Sequence, residues 1–469
     1  MTSLRGWKTI RMIFLFAVAT VAANAQTFKT LVDFEWGNGA GPDHAALAQG
    51  RDGNLYGATS YGGVHDDGTI FSLTPEGTLA TLYSFCGKQN CADGQHPFVG
   101  LVLATDGNFY GTTWSQGKGS DTVFGFAPHQ LITVDRFAAT NPSGLMQAND
   151  GSLYGTTRYG GSTLNGTIFK IAPSGVVTIL YSFCVAPPSC SDGSSPSFEG
   201  LVQATDGNFY GTTERGGAHQ RGTVFKFTPG GVLTALYSFC AKDGCADGQD
   251  AQAGLIQGRD GNLYGTTNGG GGESCSYDYG CGTIFKVTPG GKLVTLHIFH
   301  GEDGRGPSGN LVQGTDGNLY GSTLGGGRYD RGTLFEFTPD GKVTTLHVFD
   351  STDGSDPSPL YQSTNGIFYG TSLSDGPFGL GTVFSLDMGL GPFVSLPRNS
   401  GKVGSTGGIL GQGFTGTTDV SLNGTSATFT IVSDTYLTAT IPPGATSGYV
   451  TVTTPSGKLT SNKLFRVIP

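Results

Sequence analysis

"GLVQATDGNFYGTTERGGAHQRGTVFKFTPGGVLTALYSF", residues Gly200 to Phe239, reads as four short strands. "GLVQAT" and "NFYGTT" flank the turn "DG", "GTVFKFT" and "VLTALYSF" flank "PGG", and "ERGGAHQR" is the longer loop between the second and third strands. Asp-Gly predicts a two-residue type I′ turn, because both central residues of that turn need positive φ. Apolar residues occupy both alternating sets of the last two strands, Val224 beside Phe225 and Phe227, and Leu236 beside Tyr237 and Phe239. Such strands are buried on both faces. The stretch is therefore a four-stranded meander that needs a neighbour on each side.

The chain supplies the neighbours. Tyr-Gly recurs at Tyr56, Tyr110, Tyr154, Tyr210, Tyr264, Tyr320 and Tyr369, and "GTIF" or a variant follows each at Gly68, Asp121, Gly166, Gly222, Gly282, Gly332 and Gly381. Seven in-phase units of roughly 50 residues, each a four-stranded sheet packed face to face with the next, predict a seven-bladed β-propeller over residues 26–389. The seventh unit stops at "GTVFSLDMG" without a fourth strand, while "FKTLVDF", Phe28 to Phe34, precedes the first unit and has the fourth-strand pattern. The N-terminal strand is thus expected to complete the last blade and remove an exposed sheet edge. Residues 390–469 change pattern. Their strong alternation, with hairpins around Asn423-Gly424 and Ser456-Gly457, predicts a small immunoglobulin-like β-sandwich.

Composition agrees with an all-β chain full of tight turns: 80 of 469 residues are glycine, about 17% against a usual figure of about 7%. The start carries Arg5, Lys8 and Arg11, then an apolar run from Met12 to Val21 and "ANA" at Ala23 to Ala25, which is a secretory signal peptide over residues 1–25. Its removal leaves 23 basic against 35 acidic residues, a balance that disfavours nucleic acid. No later segment approaches the roughly 20 apolar residues of a membrane helix, so no membrane-spanning segment is expected after signal removal.

The cysteines fall as near neighbours, Cys86 with Cys91, Cys184 with Cys190, Cys240 with Cys245 and Cys275 with Cys281. In an exported chain these read as four local disulfides, each worth roughly 2 kcal/mol by loop closure. In a propeller meander the "DGN" and "TPxG" turns share one face, and the blade-to-blade joins share the other with the variable second-to-third-strand loops. All four cysteine pairs lie on that variable face, where binding is expected.

Phosphate and EF-hand readings of the glycine-rich turns fail on spacing, since each unit offers a single carboxylate, Asp52, Asp106, Asp150, Asp206, Asp260 or Asp316, with Asn365 in the seventh. The candidate ligand-binding face comprises the Asp-Gly set in the joins, Asp93, Asp192, Asp247, Asp303 and Asp353, with His65, His96 and His219 in the variable loops. An Asx-turn that fixes the crossing chain is the favoured reading of these aspartates, which are nevertheless the best candidates in the chain for a divalent cation such as calcium. His297 and His347 stand where other units have Tyr and read as packing residues. His44, His129 and His300 complete a scattered set. Neither a G-x-S-x-G elbow nor H-E-x-x-H occurs, so no catalytic residue is nominated and no cofactor is required.

The unit "DGNLYGTTxxGG...GTxFKxTPxGxLTxLYSF" resembles the GloVer tandem repeat of secreted bacterial proteins. The stretch "GQGFTGTTDVSLNGTSATFTIVSDTYLTATIPPGATSGYVTVTTPSG" resembles an IPT/TIG domain. These resemblances imply an exported, multi-domain surface or envelope protein, and the leading expectation is a secreted or periplasmic, non-enzymatic binding protein whose partner is an envelope or extracellular glycan or protein. "DGNLY" and "TPxGxLT" also resemble streptogramin-lyase-type propellers, which implies the alternative of an extracellular lyase or hydrolase with a central His and a metal. That alternative requires His65, His96 or His219 to converge with carboxylates near the axis.

Overall fold

The computed structural model describes residues 26–44, 46–115, 120–127, 130–137, 140–272 and 279–468; the expected signal peptide, His129 and Cys275 lie outside the described residues. The described chain is all-β apart from two single-turn 3-10 segments, Gln89–Cys91 and Asp243–Cys245. Gly200 to Phe239 forms the expected meander: Val202–Gln203, Phe209–Arg215, Thr223–Phe227 and Leu233–Ser238 pair antiparallel in chain order, with a short extra strand, Ser194–Pro196, beside the second. Six further four- or five-stranded sheets follow this plan between Thr27 and Asp387. The first strand, Thr27–Asp33, pairs antiparallel with Thr382–Asp387 in the last of these sheets.

The phase lock between the two sequence landmarks has a steric cause. In every sheet the glycine of Tyr-Gly lies beneath the phenylalanine of "GTxF". A Cβ on Gly211 would sit 2.6 Å from Phe225, and one on Gly321 would sit 2.5 Å from Phe335. The ring needs that space because both sides of the third strand are packed. Val224 joins Leu263, Phe285 and Val287 of the next sheet, and Phe225 joins Ile168 and Phe183 of the previous one. Each consecutive pair of sheets shares such a cluster. In the last, Phe34, Tyr369 and Val383 of the seventh sheet pack with Leu47, Leu55, Phe71 and Leu73 of the first.

The Asp-Gly turns differ from the expected type I′. Gly53 has φ +86° but Asp52 is not left-handed, and the bonds Gly50 N–H to Asn54 O (2.8 Å) and Gly53 N–H to Gly50 O (3.1 Å) close a three-residue loop. The aspartate side chain explains the choice. Its oxygens accept from the Asn54 N–H, the Asn54 amide and the Tyr56 hydroxyl at 2.8–3.2 Å, and the same Tyr–Asp latch recurs from Asp106–Tyr110 to Asp316–Tyr320. Asn423-Gly424, with both φ positive between the paired Leu422 and Thr425, does follow the type I′ rule.

A second latch on this face has no counterpart in the sequence reading. The glutamine of the inner strand accepts a backbone N–H from the neighbouring turn and donates to its own turn: Gln203 takes Asn149 N–H at 2.8 Å and gives to Gly207 O at 3.0 Å. Gln49 spans the ends of the array with both ends of its amide, accepting Thr364 N–H at 3.0 Å and donating to Thr364 Oγ1 at 2.9 Å. Only the second sheet carries Leu103 in this place, and there Arg51 reaches across to Thr105 O at 2.8 Å. Gln203→Leu is expected to lower stability by about 1–2 kcal/mol, since it leaves a turn N–H unpaired. Chemical denaturation that gives the wild-type midpoint would contradict this role.

The segment after Met388 forms three small sheets around Phe414, Val420, Leu437 and Val452. It lies against the Asp-Gly turns of four sheets. Thr435 donates to Arg51 O (2.7 Å), Arg466 to Thr205 O (2.6 Å) and Gln412 to Thr364 Oγ1 (3.0 Å), and Arg398 and Ser400 bond to Asn149. The contacts are to the side of the sheets that carries the Asp-Gly turns, where Asp106, Asp260 and Asp316 stay exposed.

Candidate functional site

Seven joins lead onto the inner strands at the centre of the variable face, and each has a left-handed residue at an equivalent position ahead of its inner strand. These are Gly41, His96, Asn141, Ser195, Asp250, Gly306 and Asp356, with φ between 48° and 64°. Gly, Asn, Asp and His are the residues that tolerate this conformation best. Six of the seven N–H groups at this position bond to a carbonyl of the preceding sheet, as from His96 to Asp67 O (2.7 Å) and from Asp250 to Arg221 O (2.9 Å). At Asn141 the acceptor is instead the Asp121 carboxylate at 2.7 Å, the residue that replaces glycine in "GTxF".

The ring so built surrounds a central cluster. His44, itself at φ 44°, lies between Asp43 and Glu199, each 3.7 Å from a ring nitrogen, and stacks near Phe98 and Phe198 at 5.1 and 5.3 Å. Asn310 donates to Glu199 at 3.3 Å, and the Arg158 guanidinium covers Phe198 at 4.4 Å while it pairs with Glu214. Burial alone would lower the His44 pKa, but Glu199 and Asp43 outweigh it and the Arg158 charge, so the imidazolium is held above its ordinary value. Burial also raises the carboxyl pKa of Asp43, Asp250 and Asp356.

A raised histidine pKa stabilises the folded state below the unfolded value and loses that contribution as pH climbs through the folded one. The advantage of wild type over His44→Gln is therefore expected to be complete below about pH 6.5 and to shrink above it. Denaturation at about pH 5.5 and about pH 8.5 measures the change. An equal difference at both values would contradict a charged His44.

The residues nominated from sequence are dispersed around this centre. Asp93 and Asp247 are fully buried: Asp93 accepts from the Tyr83 hydroxyl (2.6 Å) and from Gly87 and Lys88 N–H, and Asp247 from Tyr237 (2.7 Å), Ala241 and Lys242. Asp192 accepts from Tyr181 at 2.8 Å. Asp303 and Asp353 meet His297 and His347 at 2.8 and 2.7 Å, so these histidines take the place of the tyrosine in the same latch. Each of the five carboxylates thus ties its join to the outer strand before it, and at Asp192 only Oδ2 is engaged, Oδ1 being buried without a partner. His65 and His219 are exposed on separate loops. His96 sits on the ring, bonded to Ser60 O at 2.8 Å and 3.5 Å from Asp67. The three do not converge, and His44, one of the scattered set, is the histidine at the centre. Disulfides join Cys86 to Cys91, Cys184 to Cys190 and Cys240 to Cys245, and Cys281 is also disulfide-bonded. Among the described residues no helix is long and apolar enough to cross a membrane.

A family model described as the Gloeobacter/Verrucomicrobia repeat matches residues 15–197, 141–384 and 273–426. No curated protein matches the sequence. Among solved structures, the chain is similar to the extracellular domain of a hybrid two-component system of B. thetaiotaomicron, with TM-score 0.52 and 12% identity over 83% of this chain and 45% of that one. It is also similar to PorZ, a bacterial surface component of the type-IX secretion system of Porphyromonas gingivalis, with TM-score 0.51 and 16% identity over 93% of this chain and 61% of that one. The chain thus spans less than two thirds of either relative, and at these identities the likeness is one of fold.

Proposed function

Because this chain belongs to the Gloeobacter/Verrucomicrobia repeat family and concentrates its variation on one face, we propose that it is an exported, non-enzymatic binding protein of the bacterial surface or envelope. Its seven sheets are the blades of a closed propeller over residues 26–389, completed by the strand Thr27–Asp33. Residues 390–469 are an immunoglobulin-like module of the IPT/TIG kind, seated on the uniform face. The ligand, an envelope or extracellular glycan or protein, meets the variable face.

One observation carries this reading. The exposed aromatic residues between Thr27 and Met388, among the described residues, are Trp36, Tyr61, Tyr159, Tyr279, Tyr329 and Phe378. Every one of them lies in a join or a second-to-third-strand loop, none on an outer strand or an Asp-Gly turn. Exposed rings gathered on one face mark an interaction surface, because each keeps apolar area in water that a partner would cover. A glycan array and a protein pull-down with the mature chain test the proposal. Retention is expected to fall at least about tenfold in a Tyr159→Ser/Tyr329→Ser/Phe378→Ser variant and to survive Lys292→Ser on the opposite face. Retention that the triple variant leaves unchanged would place binding elsewhere.

A further inference from the structure

Three arginine–acid pairs on the variable face turn the arginine outward, an arrangement that the net charge hides. Around sheets four to seven, four arginines point outward: Arg215, Arg221, Arg328 and Arg331 are all exposed. Three of them lean on carboxylates that are turned inward. The side chain of Arg215 is 69% exposed and lies 3.6 Å from Glu214, which is 9% exposed; Arg221 is 49% exposed and lies 3.9 Å from Asp250, which is 7% exposed. Arg331, 47% exposed, pairs with the less exposed Asp375 at 3.2 Å. At these three positions the carboxylates orient the guanidinium groups from below and the arginine is the member turned to solvent, whereas in the Arg305–Asp330 pair the acid is the more exposed, at 51% against 32%. The distances to Glu214 and Asp250 exceed hydrogen-bond length, so the donors of Arg215 and Arg221 are poorly used within the protein.

Aromatic rings accompany these cations. Arg328 covers the Tyr329 ring at 4.5 Å, Tyr279 bonds through its hydroxyl to the Asp250 that steadies Arg221, and Tyr159 is next to Arg158, whose partner Glu214 also steadies Arg215. Flat exposed rings suit the C–H face of a pyranose, and planar guanidinium forks suit a carboxylate bidentately, which lysine does not.

We propose that the arc of the variable face over sheets three to seven binds a carboxylated polysaccharide, a chain of uronic acid residues, with Arg215 and Arg221 as its carboxylate clamp and Tyr159, Tyr279 and Tyr329 as sugar platforms. This rests on the variable face being the binding face, and it narrows the ligand to one class. A protein ligand would use the same rings, but it would not require positive charge to be presented while the paired acids are turned inward.

The test is calorimetric titration of the full mature chain with polygalacturonate and with its fully methyl-esterified form. Polygalacturonate is expected to bind, the ester at least tenfold more weakly, and Arg215→Ala/Arg221→Ala is expected to weaken polygalacturonate at least tenfold with unchanged thermal stability. Equal binding of acid and ester, or of wild type and double variant, would overturn the carboxylate clamp. A protein partner lost in the Tyr159→Ser/Tyr329→Ser/Phe378→Ser variant, with no uronate binding, would overturn this inference and leave the binding face standing. Uronate binding that neither the arginine nor the aromatic variant alters would fail both.

Discussion

A chain that begins at Glu35 is expected to lose most of its stability. Thr27–Asp33 forms the outer strand of the seventh sheet, in register from Thr27 with Asp387 to Asp33 with Thr382. Its removal strips an edge of paired N–H and C=O groups from Thr382–Asp387 and uncovers the core on two sides. Phe34 is fully buried against Phe71 at 5.4 Å, and Phe28 stacks on His347 at 3.6 Å and meets Phe384 at 5.3 Å. With Leu31 and Val32, the apolar burial lost is worth roughly 5–8 kcal/mol. That is comparable to the net stability of about 5–15 kcal/mol typical of a folded domain. The melting temperature should fall by about 10 °C or more, and a peptide of residues 26–34 added in trans should restore part of the loss. Phe34→Ala, a milder form of the same lesion, should cost about 3–5 kcal/mol. A truncated chain that melts with the full-length one would show that the pairing with the last sheet does not hold the array together.

Asp121→Ala is expected to be the most damaging single polar substitution in the repeat array, at about 3–5 kcal/mol. The carboxylate is fully buried and accepts from Ser115 N–H and Ser115 Oγ, both at 2.8 Å, and from the N–H groups of Thr140 and Asn141 at 2.6 and 2.7 Å. In the other sheets the position is glycine, and a carbonyl of the preceding sheet serves the join. Restoring the repeat's own residue with Asp121→Gly is therefore expected to destabilise as alanine does, because the N–H groups of Thr140 and Asn141 lose their acceptor. Asp121→Asn, which keeps the shape, should cost less. Urea unfolding of the three variants gives the order, and a neutral Asp121→Gly would show that the join finds another acceptor.

Much of the fold was legible because its signals are short-range. Seven in-phase landmarks, alternating strands and turn residues identify repeated four-stranded sheets, and cysteines five or six residues apart identify their own partners. Even the deviation at Asp121 was visible in "DTVF", although its role was not. The site was less legible. The turn aspartates and the join aspartates stood out by number, yet both sets are consumed by latches to Tyr or His, and a count of carboxylates does not tell whether donors already surround them. The inner-strand glutamines repeat as plainly as the glycines, but Gln203 acts on Asn149, 54 residues away, and nothing in a local pattern signals a bond to the neighbouring sheet.

By itself, then, the sequence determined the all-β class, the unit, its phase and its local disulfides, because period-two burial and turn stereochemistry act over a few residues. The tertiary structure alone decided what meets at the centre and what faces outward. His44 and Glu199 are 155 residues apart in the chain and 3.7 Å apart in space, and the acids beneath Arg215 and Arg221 are turned inward only where neighbouring sheets crowd together. Such encounters depend on how the sheets curve back on one another, a cumulative geometry to which every unit contributes and which no single unit encodes.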